Sequence, residues 1–366
     1  MPAEKVAIFI PSLAGGGAER VALFVCEALS QAGYAVDLVV ARNKGALVDH
    51  PAARAWRVDL GARNEMLCLF RLIRYARRSK PDVMIAMVHS AKIMAGLAKL
   101  FVPGLPLIIS VHNNLDLPRQ KLFWVRRLFG FALERRLYRG VIAAHAVSRA
   151  LAQQVVTFFA LPPERVHTIY NPLIARDGPA DLPPGHESWF ERPVLISAGR
   201  LVPQKDHAAL VRAFAASGLA SRASLLILGE GPLRRELEEL GASLGLGDSM
   251  RLPGAVPGIT PYLRRAKGFL LSSRYEGLPL VLVEALAAGL PIAAFDCPTG
   301  PAEVLNDGAL GRLLDLGDQA GLAQAMKDII SGELAAPSGA AVQAQIAKFE
   351  PARIARQYID LVAARG

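Results

Sequence analysis

Hydrophobic residues fall into short runs at regular intervals along the 366 residues. VAIFIP (6–11) has the length and apolar character of a buried parallel strand. A glycine turn follows, Gly15-Gly16-Gly17, and apolar residues then recur at helical spacing through Val21, Phe24, Val25 and Leu29 until Gly33. AVDLVVA (35–41) is the next strand, so the chain opens on a βαβ unit. VMIAMV (83–88), LIISVH (107–112), GVIAAHAVS (140–148) and VHTIYN (166–171) continue the series, alternating with helical stretches. Residues 172–193 are rich in Pro and Gly with little periodicity and read as an interdomain linker. The pattern restarts with VLISAGRL (194–201), SLLILGEGP (224–232), GFLLSS (268–273) and PIAAFD (291–296). The expectation is an α/β chain of two Rossmann-like, doubly wound domains, 1–171 and 194–350. A helical tail, 351–366, is expected to pack back on the first.

Composition agrees with two packed cores: 52% of residues are hydrophobic, which excludes disorder as the dominant state. Cys26, Cys68 and Cys297 are too few and too scattered for a disulfide framework, and none forms a C-x-x-C pair for zinc. The N-terminus lacks a signal-peptide pattern and no run is long enough to span a bilayer, so a cytoplasmic protein is expected.

Charge divides the chain. Residues 1–171 carry 23 Lys and Arg against 11 Asp and Glu, whereas residues 172–366 carry 19 against 21. A basic first half points to a polyanionic surface, lipid or nucleic acid. PRQKLFWVRRLFGFALERRLYR (118–139) interleaves apolar and aromatic residues with Arg126, Arg127, Arg135 and Arg136, and 63–80 does the same with Arg71, Arg74, Arg77 and Arg78. Such basic, aromatic-loaded helices suit a membrane interface. Base-reading motifs are not evident, so no nucleic-acid partner is expected.

Three clusters carry chemistry. In SSRYEGLPLVLVEALAAGLPIAAFD (272–296), Glu276 and Gly277 follow a strand end and Glu284 lies on the next helix. Open α/β sheets bind ligands at such ends, and the helix start suits a phosphate. The two carboxylates suit sugar or ribose hydroxyls. Gly199-Arg200-Leu201-Val202-Pro203-Gln204-Lys205 places two cations on another strand-end loop, where Arg forks onto phosphate oxygens and Lys adds a point charge. Gly15-Gly16-Gly17-Ala18-Glu19-Arg20 matches neither the dinucleotide nor the P-loop pattern; it is a glycine loop that lets a ligand approach backbone amides.

Together these residues resemble the retaining glycosyltransferases of family 4, which have the GT-B fold of two Rossmann-like domains facing a cleft. His112-Asn113, Asn171-Pro172 and Gly229-Glu230-Gly231-Pro232 extend the resemblance over nearly the whole chain. Cys297-Pro298-Thr299-Gly300-Pro301-Ala302-Glu303 is similar to a subgroup building bacterial surface glycans, including transferases that add N-acetylgalactosamine to polyprenyl-diphosphate-linked oligosaccharides. One departure is Tyr275, where many relatives carry Phe or Ser.

The resemblance implies roles. Arg200 and Lys205 hold the leaving diphosphate, and Glu284 the ribose. Glu276 with Gly277 and Leu278 holds the donor sugar, Leu280 and Gly199 line the donor site, and Gly254 faces the base. Gly16 and Gly17 line the phosphates, and His112 contacts the sugar. It also implies a nucleotide-sugar donor, foremost a UDP-sugar carrying a hexose or N-acetylhexosamine. The implied acceptor is a lipid-linked or surface-glycan saccharide at the inner membrane face. No D-x-D occurs, so metal-independent transfer without a cofactor is expected. A GT-B sugar-nucleotide epimerase and, more remotely, a nucleic-acid-binding protein are the alternatives.

Overall fold

The computed structural model describes residues 3–115, 132–174 and 181–364. The chain forms two compact units: Met1–Pro172 with Pro351–Gly366, and Leu173–Glu350. The Pro- and Gly-rich stretch read as a linker therefore belongs, from Leu173 on, to the second unit. Part of it is packed there. Residues Glu187–Phe190 form a single 3-10 turn, His186 stacks on Trp189, and its Nδ1 lies 2.8 Å from Tyr262 Oη.

The first unit is built on a seven-stranded sheet in the order β3-β2-β1-β4-β5-β6-β7. Its strands are β1 (Lys5–Ile10), β2 (Ala35–Val40), β3 (Arg57–Asp59), β4 (Val83–Met87), β5 (Leu107–Val111), β6 (Ala143–Ala146) and β7 (Val166–Thr168). Every pairing is parallel. β4 and β5 are buried along their whole length, which is why VMIAM and LIISV read as unbroken apolar runs. One face is covered by helix Gly17–Gln31 and by the C-terminal helix Pro351–Ala363. That last helix buries Ile354, Tyr358, Leu361 and Val362, an i, i+4, i+7, i+8 stripe. Burying such side chains stabilises by about 1.5–3 kcal/mol each.

The second unit carries six parallel strands in the order β10-β9-β8-β11-β12-β13. They are β8 (Val194–Ala198), β9 (Ser224–Leu228), β10 (Met250–Gly254), β11 (Gly268–Leu271), β12 (Ile292–Phe295) and β13 (Arg312–Leu314). Its core joins β8, β9, β11 and β12 to helices His207–Ser217 and Gln319–Ser331. In both sheets the neighbours of the first strand mark the point where strand order reverses, and the loops beyond the carboxyl ends of those strands are where ligands bind in this class of sheet.

Candidate functional site

In the second unit the loops after β8, β9 and β10 are locked together through their backbones. Gly199 N donates to Leu228 O, Leu201 N to Glu230 O, and Gly229 N to Gly254 O. The contact needs glycine: at Gly229 (φ +152°) a Cβ would lie 1.9 Å from Gly199 O, a clash no rotamer relieves. This is the physical reason for Gly229-Glu230-Gly231-Pro232, since that turn fixes where the Arg200–Lys205 loop stands. Gly254 ends β10 beside Glu230 and Arg234, which form a bidentate pair.

The same loop is tied to the one after β11. Ser272 Oγ donates to the carbonyls of Lys205 and Asp206, Gln204 Nε2 to Tyr275 O, and Arg274 Nε to Asp206 Oδ2. At the centre, Lys205 Nζ lies 2.5 Å from Glu276 Oε1, and Ser273 Oγ donates to the same oxygen from 2.6 Å. Only 15% of the Lys205 side chain and 7% of that of Glu276 are exposed, so this is a buried pair. Arg200 stays exposed, and the Gly199 backbone runs against the Lys205 stem.

Behind Glu276 stands the segment after β12. Thr299 Oγ1 donates to Glu276 O, and at Gly300 (φ +100°) a Cβ would meet Pro279 Cδ at 2.5 Å. Cys297-Pro298-Thr299-Gly300-Pro301 is thus the brace of the Glu276–Pro279 loop. Cys297 is buried, and burial together with the Glu276 charge pushes its thiol up to about 12, so it is inert at neutral pH. Gly277 and Leu278 are buried beside it. Helix Leu280–Ala287 starts after Pro279, with half-buried Leu280 first and half-buried Glu284 one turn on.

His207 went unnoticed in the sequence. It opens helix His207–Ser217 at 4% exposure beneath the Gly199–Arg200 loop. Burial, and then the Lys205 charge, push it down to about 4, so it sits there uncharged. The only signal for it was its place two residues after Lys205.

In the first unit, Gly16 caps helix Gly17–Gln31 with extended backbone, and the Glu19 carboxylate folds back against it. Glu19 thus serves the helix terminus. Gly17 faces open space. His112 directly follows β5 and is half-buried, its Nε2 2.6 Å from Ser110 Oγ. Burial, then the Lys92 charge, push it down to about 3, while the Asn171 side chain pulls the other way. Its ring is therefore neutral at physiological pH and offers hydrogen bonds rather than charge. Asn171 itself is buried at the exit of the first unit. Val88, between β4 and helix His89–Phe101, has φ +74°, a rare conformation for a β-branched residue.

The basic stretches separate. Arg126 and Arg127 lie outside the described residues. Residues 132–138 are helical, with Leu137 and Tyr138 buried and Arg135 and Arg136 exposed. In helix Glu65–Ser79 the arginines divide by role. Arg71 is tied down, donating to the carbonyls of Leu60 and Gly61. Arg77 donates to Phe101 O at the end of helix His89–Phe101. Arg74 and Arg78 are exposed and line an open cavity with Asp37, Asp59 and Tyr75. Met66 and Phe70, a turn apart on the Arg77 side of the helix, are 82% and 74% exposed, and Phe101 beside Arg77 is 55% exposed. Among the described residues no helix is long and apolar enough to cross a membrane, and no cluster of His, Cys, Asp or Glu could hold a metal ion.

Comparison with known proteins covers both units. Residues 15–174 match Glycosyltransferase Family 4, and residues 185–345 match Glycosyl transferases group 1. Over 344 residues the chain is 25% identical to the N-acetylgalactosamine-N,N'-diacetylbacillosaminyl-diphospho-undecaprenol 4-alpha-N-acetylgalactosaminyltransferase of Campylobacter jejuni, covering 90% of this chain and 91% of that one. It is 29% identical to the amylovoran biosynthesis glycosyltransferase AmsD of Erwinia amylovora, covering 83% and 84%. In fold it is similar to Anabaena HepE, solved in complex with UDP-glucose, with a TM-score of 0.82 at 18% identity, covering 98% and 99%. The sucrose-phosphate synthase of Thermosynechococcus elongatus superposes with a TM-score of 0.77 at 18% identity, covering 99% and 100%.

Proposed function

The chain belongs to the family 4 glycosyltransferases and has their GT-B fold, and from that premise we propose that it builds a bacterial surface glycan, moving a hexose or N-acetylhexosamine from a UDP-sugar to a lipid-linked saccharide. The observation that carries the reading is the buried Lys205–Glu276 pair, held at the sheet's carboxyl edge by the interlocked loops after β8, β9, β10 and β11. Within that loop system Arg200 and Lys205 supply the positive charge that meets the leaving diphosphate. Glu276 and the Gly277–Leu278 backbone receive the sugar, Glu284 the ribose and Gly254 the base. In the first unit, Gly16 and Gly17 meet phosphate and His112 meets a sugar. Transfer proceeds with retention and without a metal, the leaving phosphate helping to take the acceptor proton.

The acceptor side rests on charge. The exposed pair Met66 and Phe70, with Arg74, Arg77 and Phe101 beside it, suits the inner face of an anionic membrane. Arg135 and Arg136 add to that surface, and Arg71 supports it from within.

A panel of UDP- and GDP-sugars tests the donor assignment through protection against thermal unfolding. A UDP-sugar is expected to raise the midpoint in wild type and not in Lys205→Ala. Equal protection of both proteins overturns the donor site. Protection by GDP-sugars alone overturns the base.

A further inference from the structure

The apolar face of the first sheet is crossed by one polar row. Ser110 on β5 and His145 on β6 are register partners, and His145 is in turn the partner of His167 on β7. Two residues back along the same strands, Ile108 and Ala143 belong to the core that the C-terminal helix covers. Tyr358 of that helix is fully buried, and its hydroxyl lies 3.2 Å from His145 Nε2. The His145 ring stands at 84° to that of His112, with centroids 5.9 Å apart. Ser110 closes the array, its Oγ 2.6 Å from His112 Nε2. Tyr358 thus touches His145, and His145 and Ser110 each touch His112, the histidine beyond β5.

Packing alone does not call for these groups. A phenylalanine at 358 fills the same space, and a buried hydroxyl costs stability unless it is partnered. What the hydroxyl adds is direction. A neutral imidazole has one N–H, and the partner at one nitrogen decides which nitrogen carries it. His145 is wholly buried and held well below its ordinary value, first by burial and then by His112, His167 and Lys92, so it is neutral. Tyr358 Oη is the hydrogen-bond partner of Nε2, and Nδ1 has none among the described residues, so that one contact sets the tautomer and orientation of the ring.

We propose that Tyr358 is a positioning residue for transfer: it fixes the tautomer and orientation of His145, and His145, packed edge-on, together with Ser110 at Nε2 fixes the orientation of the His112 ring. The C-terminal helix is on this view part of the catalytic architecture as well as of the core. The proposal rests on the reading of His112 as a donor-sugar contact. The groups that face the array are Lys92 on helix His89–Phe101, His167 on β7 and the Asn171 amide.

The test uses the full chain with 15N-labelled histidine. In Tyr358→Phe the ring nitrogens of His145, and with them those of His112, are expected to shift. Nucleotide-sugar turnover is expected to fall about 3–10-fold with KM for the donor little changed, the scale of one hydrogen bond. In a His112→Ala background the same substitution is expected to add nothing. Unmoved His112 nitrogens, or a full further loss in the His112→Ala background, overturn the proposal. Wild-type turnover in His112→Ala itself overturns the reading of His112, while the nitrogen shifts still report on the array.

Discussion

Lys205 and Glu276 stand 71 positions apart in the chain, and each read alone is an ordinary surface charge. Folding makes them a buried pair that shares its acceptor oxygen with Ser273. Removing one member leaves the other charge buried and unpaired, which costs about 3–5 kcal/mol. Lys205→Ala is therefore expected to lose stability by that amount, read by urea unfolding, and turnover by about 10²-fold or more. Lys205→Met with Glu276→Gln should recover most of the stability and none of the turnover. An unchanged urea midpoint in Lys205→Ala would show that the pair is not buried in solution. The residue types at this site were legible in the sequence, because Gly, Arg, Lys and Glu recur together at the strand ends of one half. Their partners were not: periodicity carries no information about which loop meets which, so His207 and the contacts of Ser273 and Thr299 stayed invisible.

At the scale of elements, the central strands and the edge strand β7 were legible, and the other three edges were not. β4, β5, β8 and β9 are buried throughout and read as apolar runs. β3 (RVD), β10 (MRLPG) and β13 (RLL) are each an edge strand, half solvated, and so lack such a run. Helix Glu65–Ser79 shows the opposite case, where pattern gave the helix and structure gave its faces. Arg71 serves the fold, whereas Met66 and Phe70 stand out from it beside Arg74 and Arg77. Replacing Met66 and Phe70 with Ser and Arg74 and Arg77 with Glu should abolish pelleting with anionic liposomes at low salt while leaving the thermal midpoint in place. Each cation near an anionic leaflet contributes about 1 kcal/mol, so two reversals with two lost anchors exceed a peripheral helix's marginal binding. Pelleting retained by this variant would move the contact to Arg135, Arg136 and the arginines at 126 and 127.

Across the whole molecule, three histidines held in neutral form link stability to pH. His112 is held down to about 3, His207 to about 4, and His145 well below its usual value. Burial is the first cause in each. An unfolded chain takes up protons at these residues below about pH 6.5, and the folded chain does not. Stability is thus fully present above that pH and declines as pH falls toward the folded values. The limiting slope is about 1.4 kcal/mol per pH unit for each histidine, read as urea midpoints across that range. His207→Gln should flatten the decline, and a midpoint constant between about pH 7 and 5 would contradict burial of these rings in neutral form. The most direct measurement of the central claim is transfer itself: wild-type chain, a UDP-sugar and a polyprenyl-diphosphate-linked saccharide, in excess EDTA. The account predicts a saccharide longer by one sugar, formed at nearly the same rate as without EDTA and lost in Lys205→Ala. Transfer that stops in EDTA and returns only with a divalent cation, or that survives in Lys205→Ala, would contradict it.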